Sequence, residues 1–416
     1  RSYSVTGVQT CALPIYPIRG GGRYHNFKDF MSFPNLGHEE LEYAPMPPLH
    51  HCDLPHHRSI LASIREKDIL LHYPYHSFQY IIDLLREVSI DPKVRSIKMT
   101  IYRAARNSSV INALINAARN GKYVTVFMEL QARFDEEANI YWTERLREEG
   151  VKVIHSIPGF KVHSKLILIK RKENAGDFFY SFIGTGNFNE DTARIYSDVS
   201  LLTANQTICT DVVNAFHLIE ESYRPYKFNA LVVSPVNMRN FYLKMISNEI
   251  RNAVKGEEAW VILKLNSLVD SAMVKKLYKA SQAGVKIKLI IRGICTLVPG
   301  IPGVSDNIEA ISIVDRFLEH ARIQVFCNGG KPLYYITSAD WMVRNFDNRI
   351  EVSTPIISPE IQKQLRDILD IQLTDNVKAR IIGSTPPNAY RRDNGVPVRS
   401  QEAIYRYFKY MLNNKS

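Results

Sequence analysis

The chain has 416 residues and lacks several features that would narrow its class. No run of about 18 or more apolar residues occurs, which excludes a membrane-spanning helix. The five cysteines, Cys11, Cys52, Cys209, Cys295 and Cys327, are scattered, with no CxxC spacing. That argues against a disulfide framework or a zinc site and fits a reducing cytoplasm. Acidic residues are too few to balance the basic ones, leaving a net charge of +11 with 12 histidines outside the count. Such a balance suits a polyanionic partner (nucleic acid, polyphosphate or an anionic membrane face) and equally suits solubility alone. An initiating methionine is also absent. Val5 to Ile15, VTGVQTCALPI, reads as the in-frame translation of a sequencing adaptor, so residues 1–15 are set aside from the fold. Native sequence is expected to begin near Tyr16, inside a longer protein.

What is present is globular: 45% hydrophobic and 23% charged, enough for two to three domains with cores. Residues 16–57 are rich in Gly, Pro and aromatics. Their end, APMPPLHHCDLPHH (Ala44 to His57), reads as a solvated linker rather than a metal site, because prolines interrupt it and the histidines have no paired thiol or carboxylate. From Ile69 strands and helices alternate. FQYIIDLLREVSI is an amphipathic helix, and SIKMTIY and KYVTVFMEL are strands. SSVINALINAARNG is a helix opened by Ser and closed by Gly121. VKVIHSI and KVHSKLILI add two more strands. The pattern predicts an α/β fold with mixed sheets flanked by helices.

The pattern then repeats. VINALINAARNGKYVTVFME (Val110 to Glu129) resembles MVKKLYKASQAGVKIKLIIR (Met273 to Arg292), with Gly121 matching Gly284. GTGNFNE (Gly184 to Glu190) echoes SADWMVRN (Ser338 to Asn345), and SDVSLL echoes IEVSTP, which sets Asp198 opposite Glu351. Two similar halves are expected, 58–230 and 231–416, with one site at their joint.

The chemistry-bearing residues fall into both halves. In FKVHSKLILI, His163 and Lys165 lie two apart, which places them on one face of a single strand. GTGNFN follows His163 by 21 residues, and SADWMVRN follows His320 by 18. His320 lies in LEHAR, a helix-like context. A neutral imidazole can attack phosphorus, an adjacent ammonium can carry the phosphoryl charge, and a small-residue turn with Asn187 can approach phosphoryl oxygens. Asp198 and Glu351 are read as possible orienters of the histidines, with surface ion pairing an equal alternative.

His-x-Lys followed by a small-residue turn and Asn resembles the phospholipase D superfamily. That family's hydrolases carry an Asp seven residues after the His, where this chain has Lys170, and the second His is followed by Ala-Arg. The chain then resembles, over residues 19 to 412, the carboxy-terminal part of the histidine-phosphorylated class of polyphosphate kinase. GRYHNFKDFMSFPN, KMTIYRAA, ELQARFDEEANI, KVHSKL, GTGNFNEDTARIYSD, SDNIEAISIVDRFLEHARI and SADWMVRNFDNRIEV carry the likeness. The resemblance implies two tandem phospholipase D-like domains, 58–230 and 231–416, after a remnant of a head domain and linker at 16–57. It implies His163 as the phosphorylated nucleophile, His320 as proton donor or nucleotide contact, and Lys165 as charge stabiliser. It further implies Tyr196 and Arg292 as contacts to ATP, with Asn187 as a phosphate-side residue. Arg103 and Arg133 match positions assigned to a Mg²⁺ site. A guanidinium has no lone pair for a metal, so these two read better as phosphate clamps beside the ion. The implied partners are ATP, ADP and polyphosphate, with a homo-oligomeric full-length protein, peripheral membrane association and no nucleic acid. Two alternatives stand beside this: a phospholipase D-like phosphodiesterase or nuclease, and a polyphosphate-binding fragment without activity.

Overall fold

The computed structural model describes residues 33–55, 58–129, 136–155, 159–383 and 388–415. The chain divides into two compact units, Arg1–Pro45 and Met46–Ser416. In the first, the described residues 33–45 hold one 3-10 turn, Glu39–Leu41, and no buried side chain. The second holds the sheets. It also takes in Met46 to Pro55, where His51 and Leu54 are buried. That stretch is therefore packed, not the solvated linker its composition suggests.

In chain order the strands of the first half are β1 (Ile69–Tyr73), β2 (Val94–Ile101), β3 (Tyr123–Met128), β4 (Lys152–His155), β5 (Lys161–Val162), β6 (Lys165–Glu173), β7 (Gly176–Gly184) and β8 (Tyr196–Thr203). Those of the second are β9 (Val232–Ser234), β10 (Trp260–Leu265), β11 (Lys286–Ile291), β12 (Ile308–Ile313), β13 (Leu318–Glu319), β14 (Ile323–Phe326), β15 (Leu333–Thr337), β16 (Arg349–Ile356) and β17 (Ala379–Ile381). One sheet runs β1-β8-β7-β6-β2-β3-β4, the other β17-β12-β11-β10-β14-β15-β16-β5. Each is mixed on the same plan. Three parallel strands (β2, β3, β4 and β10, β11, β12) join three antiparallel ones (β6, β7, β8 and β14, β15, β16). Antiparallel neighbours need only a hairpin, whereas parallel ones need a crossover. Helices supply it from β2 to β3, from β3 to β4 and from β10 to β11, while a long loop, residues 292–307, carries the chain from β11 to β12.

The matching crossover helices show why the repeat was visible. Ser109–Arg119 is capped by Ser108, whose side chain accepts from Ile111 N–H; Ser271–Gln282 is capped by Asp270, which accepts from Ala272 and Met273 N–H. Both end at a glycine in the left-handed region, Gly121 (φ 78°) and Gly284 (φ 93°). Lys122 N–H then reaches back to Ala117 O and Val285 N–H to Ala280 O, 3.0 Å each. Each half has its own apolar core, around Ile81, Leu114 and Val126 in one and Leu263, Leu277 and Leu289 in the other. A third cluster is shared: Leu70, Val199 and Leu201 of the first half pack with Ile262, Ile290 and Ile323 of the second.

The halves also exchange strands. β5 leaves its own sheet and pairs in parallel with β16; β13 leaves its own and pairs in parallel with β8. Each exchanged strand directly precedes a histidine. FKVHSKLILI is thus not one strand: it divides at His163 and Ser164, whose N–H groups both donate to Ile350 O at 3.0 Å. His320 and Ala321 do the same to Ser197 O, at 3.0 and 2.7 Å. LEHAR is accordingly extended rather than helical, because pairing with β8 outweighs its local helix preference.

β13 is held from beneath by a buried polar network. Glu319, 3% exposed, is paired with the buried Lys264. Gln372 and Gln401 donate to the same carboxylate at 2.9 and 2.8 Å. Gln401, from the C-terminal helix Ser400–Lys415, also exchanges two hydrogen bonds with the Phe317 backbone, both 2.8 Å. Removing one partner of such a pair strands a buried charge. Glu319→Leu should therefore cost roughly 3–5 kcal/mol in urea unfolding, while Lys264→Met/Glu319→Leu should cost clearly less. An equal loss in both would show that the charges are not what stabilises this seat.

Candidate active site

The strand exchange decides what each histidine meets. His163 Nδ1 lies 2.9 Å from both carboxylate oxygens of Glu351, on β16 of the second half. His320 Nδ1 lies 2.9 and 2.8 Å from the oxygens of Asp198, on β8 of the first. Glu351 is fully buried and Asp198 is 4% exposed, so neither is the surface ion-pair partner that the sequence left open. A carboxylate facing Nδ1 fixes Nδ1–H as the tautomer and leaves Nε2 with the lone pair.

Each carboxylate is fixed by the small-residue turn of its own half. Thr185 Oγ1 donates to Asp198 at 2.5 Å, and Ser338 Oγ donates to Glu351. Val199 and Val352 N–H groups donate back to these same hydroxyls, each at 3.1 Å. Asn345 Nδ2 adds a hydrogen bond to Glu351 at 2.6 Å. Thr185 thus stands opposite Ser338, one residue from the register read off the sequence. Gly186 is required by close approach, since a Cβ there would lie 2.2 Å from Asp198 Oδ2. Asn187 is half-buried in that turn. It lines a small cavity with Tyr73, Phe188 and Asp198, and its Oδ1 is buried without a hydrogen-bond partner.

Cations gather around the pair. Lys165 is 2% exposed and donates from Nζ to His163 O. Because the strand breaks between them, the two are joined through the backbone and not by sharing a strand face. Arg322, 3% exposed, holds the place two after His320 that Lys165 holds after His163. Its NH2 donates to Asp340 at 3.0 Å and its NH1 to Thr185 O at 3.1 Å, linking the halves. Spacing alone shows that Arg322 matches Lys165, and only the fold shows what it touches. Arg292 follows β11 and is bound by Asn266 and by Glu319 O. Aromatic rings cover both histidines: Tyr196 lies 5.1 Å from His320 and Tyr102 lies 4.9 Å from His163, ring to ring. Arg103 sits 5.8 Å from the Tyr102 ring. Arg133 lies outside the described residues. Lys170, in the position of the absent Asp, pairs with Asp177 on the β6–β7 hairpin.

Burial governs the protonation states. It drives the His163 imidazole well below its ordinary range, aided by Lys165, Arg349 and Arg322. It lowers His320 as well, with Arg322 next in weight. Both rings are therefore neutral at pH 7. Burial also brings Lys165 down to about 7 against the opposing pull of Glu351. Burial pushes Asp198 and Asp340 upward, but His320 and Arg322 outweigh it for Asp198 and Arg322 for Asp340, holding each at about 2.

Mg²⁺ was implied with Arg103 and Arg133. Arg103 offers no lone pair, and Asp198, Glu351 and Asp340 are each committed to a histidine or to Arg322. The donor set does not fit direct ligation by these side chains. The grouped ligand atoms among the described residues belong to His51, Cys52 and Asp53. There Asp53 pairs with Lys67, and His51 Nδ1 accepts from Asp53 N–H.

The depressed carboxyls predict acid sensitivity. A carboxyl with a folded value near 2 stabilises the fold fully above about pH 4, by roughly 2 kcal/mol, and loses this as pH falls through about 2. Urea midpoints measured downward from about pH 5 should fall less steeply in Asp198→Asn than in the wild type. Identical slopes would contradict the pairing.

Two family models match the chain: polyphosphate kinase C-terminal domain 1 over residues 59–225 and polyphosphate kinase C-terminal domain 2 over residues 231–401. The polyphosphate kinase of Vibrio vulnificus (strain YJ016) is 55% identical over 390 residues, covering 94% of this chain and 56% of that protein. That of Escherichia coli (strain K12) is 53% identical over 392 residues, covering 94% and 57%. The crystal structure of polyphosphate kinase from Porphyromonas gingivalis superposes with a TM-score of 0.88 at 44% identity, over 94% of this chain and 60% of that one. Phosphatidylserine synthase of Haemophilus influenzae shares the fold alone, with a TM-score of 0.53 at 10% identity. The chain thus spans little more than half the length of the curated relatives it matches.

Proposed function

Because the chain belongs to the polyphosphate kinase family, we propose that it carries the phosphoryl-transfer centre of such a kinase, with His163 as the group that is phosphorylated. The observation that carries this reading is the crossed pairing of His163 with Glu351 and His320 with Asp198. On this reading His163 Nε2 attacks the γ-phosphorus of ATP. A P–N bond forms, the bond from the γ-phosphorus to its bridging oxygen breaks, and ADP leaves. Positive charge grows on the imidazole as it attacks, and Glu351 is positioned to stabilise it through Nδ1–H. The terminal oxygen of a polyphosphate chain then attacks the same phosphorus and releases His163. The sequence of steps is reversible.

Lys165, Arg322, Arg292 and Arg103 supply cationic charge for the three phosphoryl oxygens. His320, with its own Nε2 lone pair, exchanges a proton at the other end of the transfer. No step here is assigned to a protein-held Mg²⁺, since the side chains of the site do not supply its ligands. Tyr196 beside His320 lies on the side read as binding nucleotide. Residues 58–230 and 231–416 act as one unit in this reading, because neither histidine has its carboxylate within its own half. The four described cysteines are free thiols. Among the described residues no helix is long and apolar enough to cross a membrane.

The first test is labelling with γ-³²P-ATP. Acid-labile, alkali-stable label on the protein should appear and should vanish in His163→Ala. Hydrolysis of a phosphodiester without use of ATP, and with no protein label, would instead favour a phospholipase D-like phosphodiesterase. Saturable polyphosphate binding with neither activity would favour a binding fragment.

A pH profile follows from Lys165. Its ammonium, brought to about 7 by burial, loses its proton as pH rises through that value, and the cation that faces the phosphoryl group is lost with it. kcat/KM for ATP, which reports the free protein, should decline above about pH 7 in the wild type. Lys165→Arg stays charged, so whatever activity it retains should show no such alkaline decline. A decline with the same midpoint in both would assign the titration to another group.

A further inference from the structure

Asn266 follows β10 directly, and Arg292 follows β11 directly. Both stand at the carboxyl ends of neighbouring parallel strands, where ligand-contacting residues gather in open α/β sheets. Asn266 is 5% exposed, and the hydrogen-bonding capacity of its side-chain amide is turned to neighbouring site residues. Its Oδ1 accepts from Arg292 Nε at 3.0 Å and from Arg292 NH2 at 2.8 Å. Its Nδ2 donates to His320 O at 3.1 Å, and its backbone N–H donates to Asp340 at 2.8 Å. The amide orientation is unambiguous, because only the oxygen can face a guanidinium and only the nitrogen can face a carbonyl.

The two halves provide an internal control. Tyr102 follows β2 and Glu129 follows β3, in the same parallel register. So the first half builds the same strand pair with a tyrosine and a glutamate where the second has Asn266 and Arg292. The fold does not require the Asn–Arg junction. Its presence in one half alone points beyond a requirement of the backbone.

We infer that Asn266 is a positioning residue. It fixes the Arg292 guanidinium at the phosphate end of the nucleotide site and ties it to the backbone of His320. This rests on the reading of Arg292 as a nucleotide contact. An arginine left to rotate gives up much of its preorganisation, since Glu319 O then holds it at Nε alone.

A double-mutant cycle tests it, using Asn266→Ala, Arg292→Ala and the double variant in the whole chain. kcat and KM for ATP are measured for transfer, ATP affinity by calorimetry and the melting midpoint by calorimetric scan. Asn266→Ala should lower kcat/KM for ATP by about 10- to 100-fold, the worth of hydrogen bonds to a charged group, chiefly through KM. Arg292→Ala should lower it at least as much. The double variant should lose no more than Arg292→Ala alone, because Asn266 acts through Arg292. Multiplying losses, a silent Asn266→Ala, or a silent Arg292→Ala beside a damaging Asn266→Ala would each overturn the inference. Where Asn266→Ala melts too low to assay, Asn266→Ser enters the same cycle. A wild-type chain that binds ATP but transfers nothing, yet shows the same coupling in affinity, would sink the transfer reading and leave this one standing. A chain that does not bind ATP would sink both.

Discussion

The structure depends on one exchange: each half surrenders a two-residue strand to the other's sheet, and each histidine arrives at the end of a surrendered strand. Backbone pairing does the placing. His163 N–H is held by Ile350 O and His320 N–H by Ser197 O, so the rings cannot drift without breaking a sheet edge. The carboxylates they meet, Glu351 and Asp198, are one residue further along the very strands that hold them. The open end of each receiving strand is filled by the segment that carries a histidine.

Burial then sets the electrostatics. A histidine beside a buried carboxylate would ordinarily be driven toward its charged form. Here desolvation, with Lys165, Arg349 and Arg322 close by, outweighs that pull and keeps His163 neutral. The same desolvation brings a lysine to near neutrality while leaving Arg322 charged against Asp340. The halves are therefore alike in backbone and different in charge. Lys165 in one is a cation that can yield its proton; Arg322 in the other is a permanent cation with a committed partner. A duplicated fold becomes a site with two unlike ends.

The elements legible in the sequence were those whose signals are local. The capped crossover helices, their closing glycines and the apolar strands after them show themselves within a window of about 15 residues. So does the repeat, because matched caps and glycines recur at a fixed distance. The misleading signals are equally local. KVHSKLILI has the composition of one strand, and only the partner sheet breaks it at His163. LEHAR has helix-forming residues, and only β8 pulls it straight. The Ala44 to His57 stretch looks solvated, yet His51 and Leu54 are packed against the body of the protein.

The sequence by itself determined the fold class and the duplication, and it singled out two histidines and a set of cations as candidates. These follow from residue type and spacing, which are properties of the chain. Only the tertiary structure decided which carboxylate serves which histidine, that the partners are crossed, and that Arg322, Asn266, Thr185 and Ser338 belong to the same arrangement. His163 and Glu351 are 188 residues apart, and nothing in either neighbourhood encodes the other. Their meeting is set by which sheet edge lies open to receive β5 and β13, and that depends on the packing of both halves together.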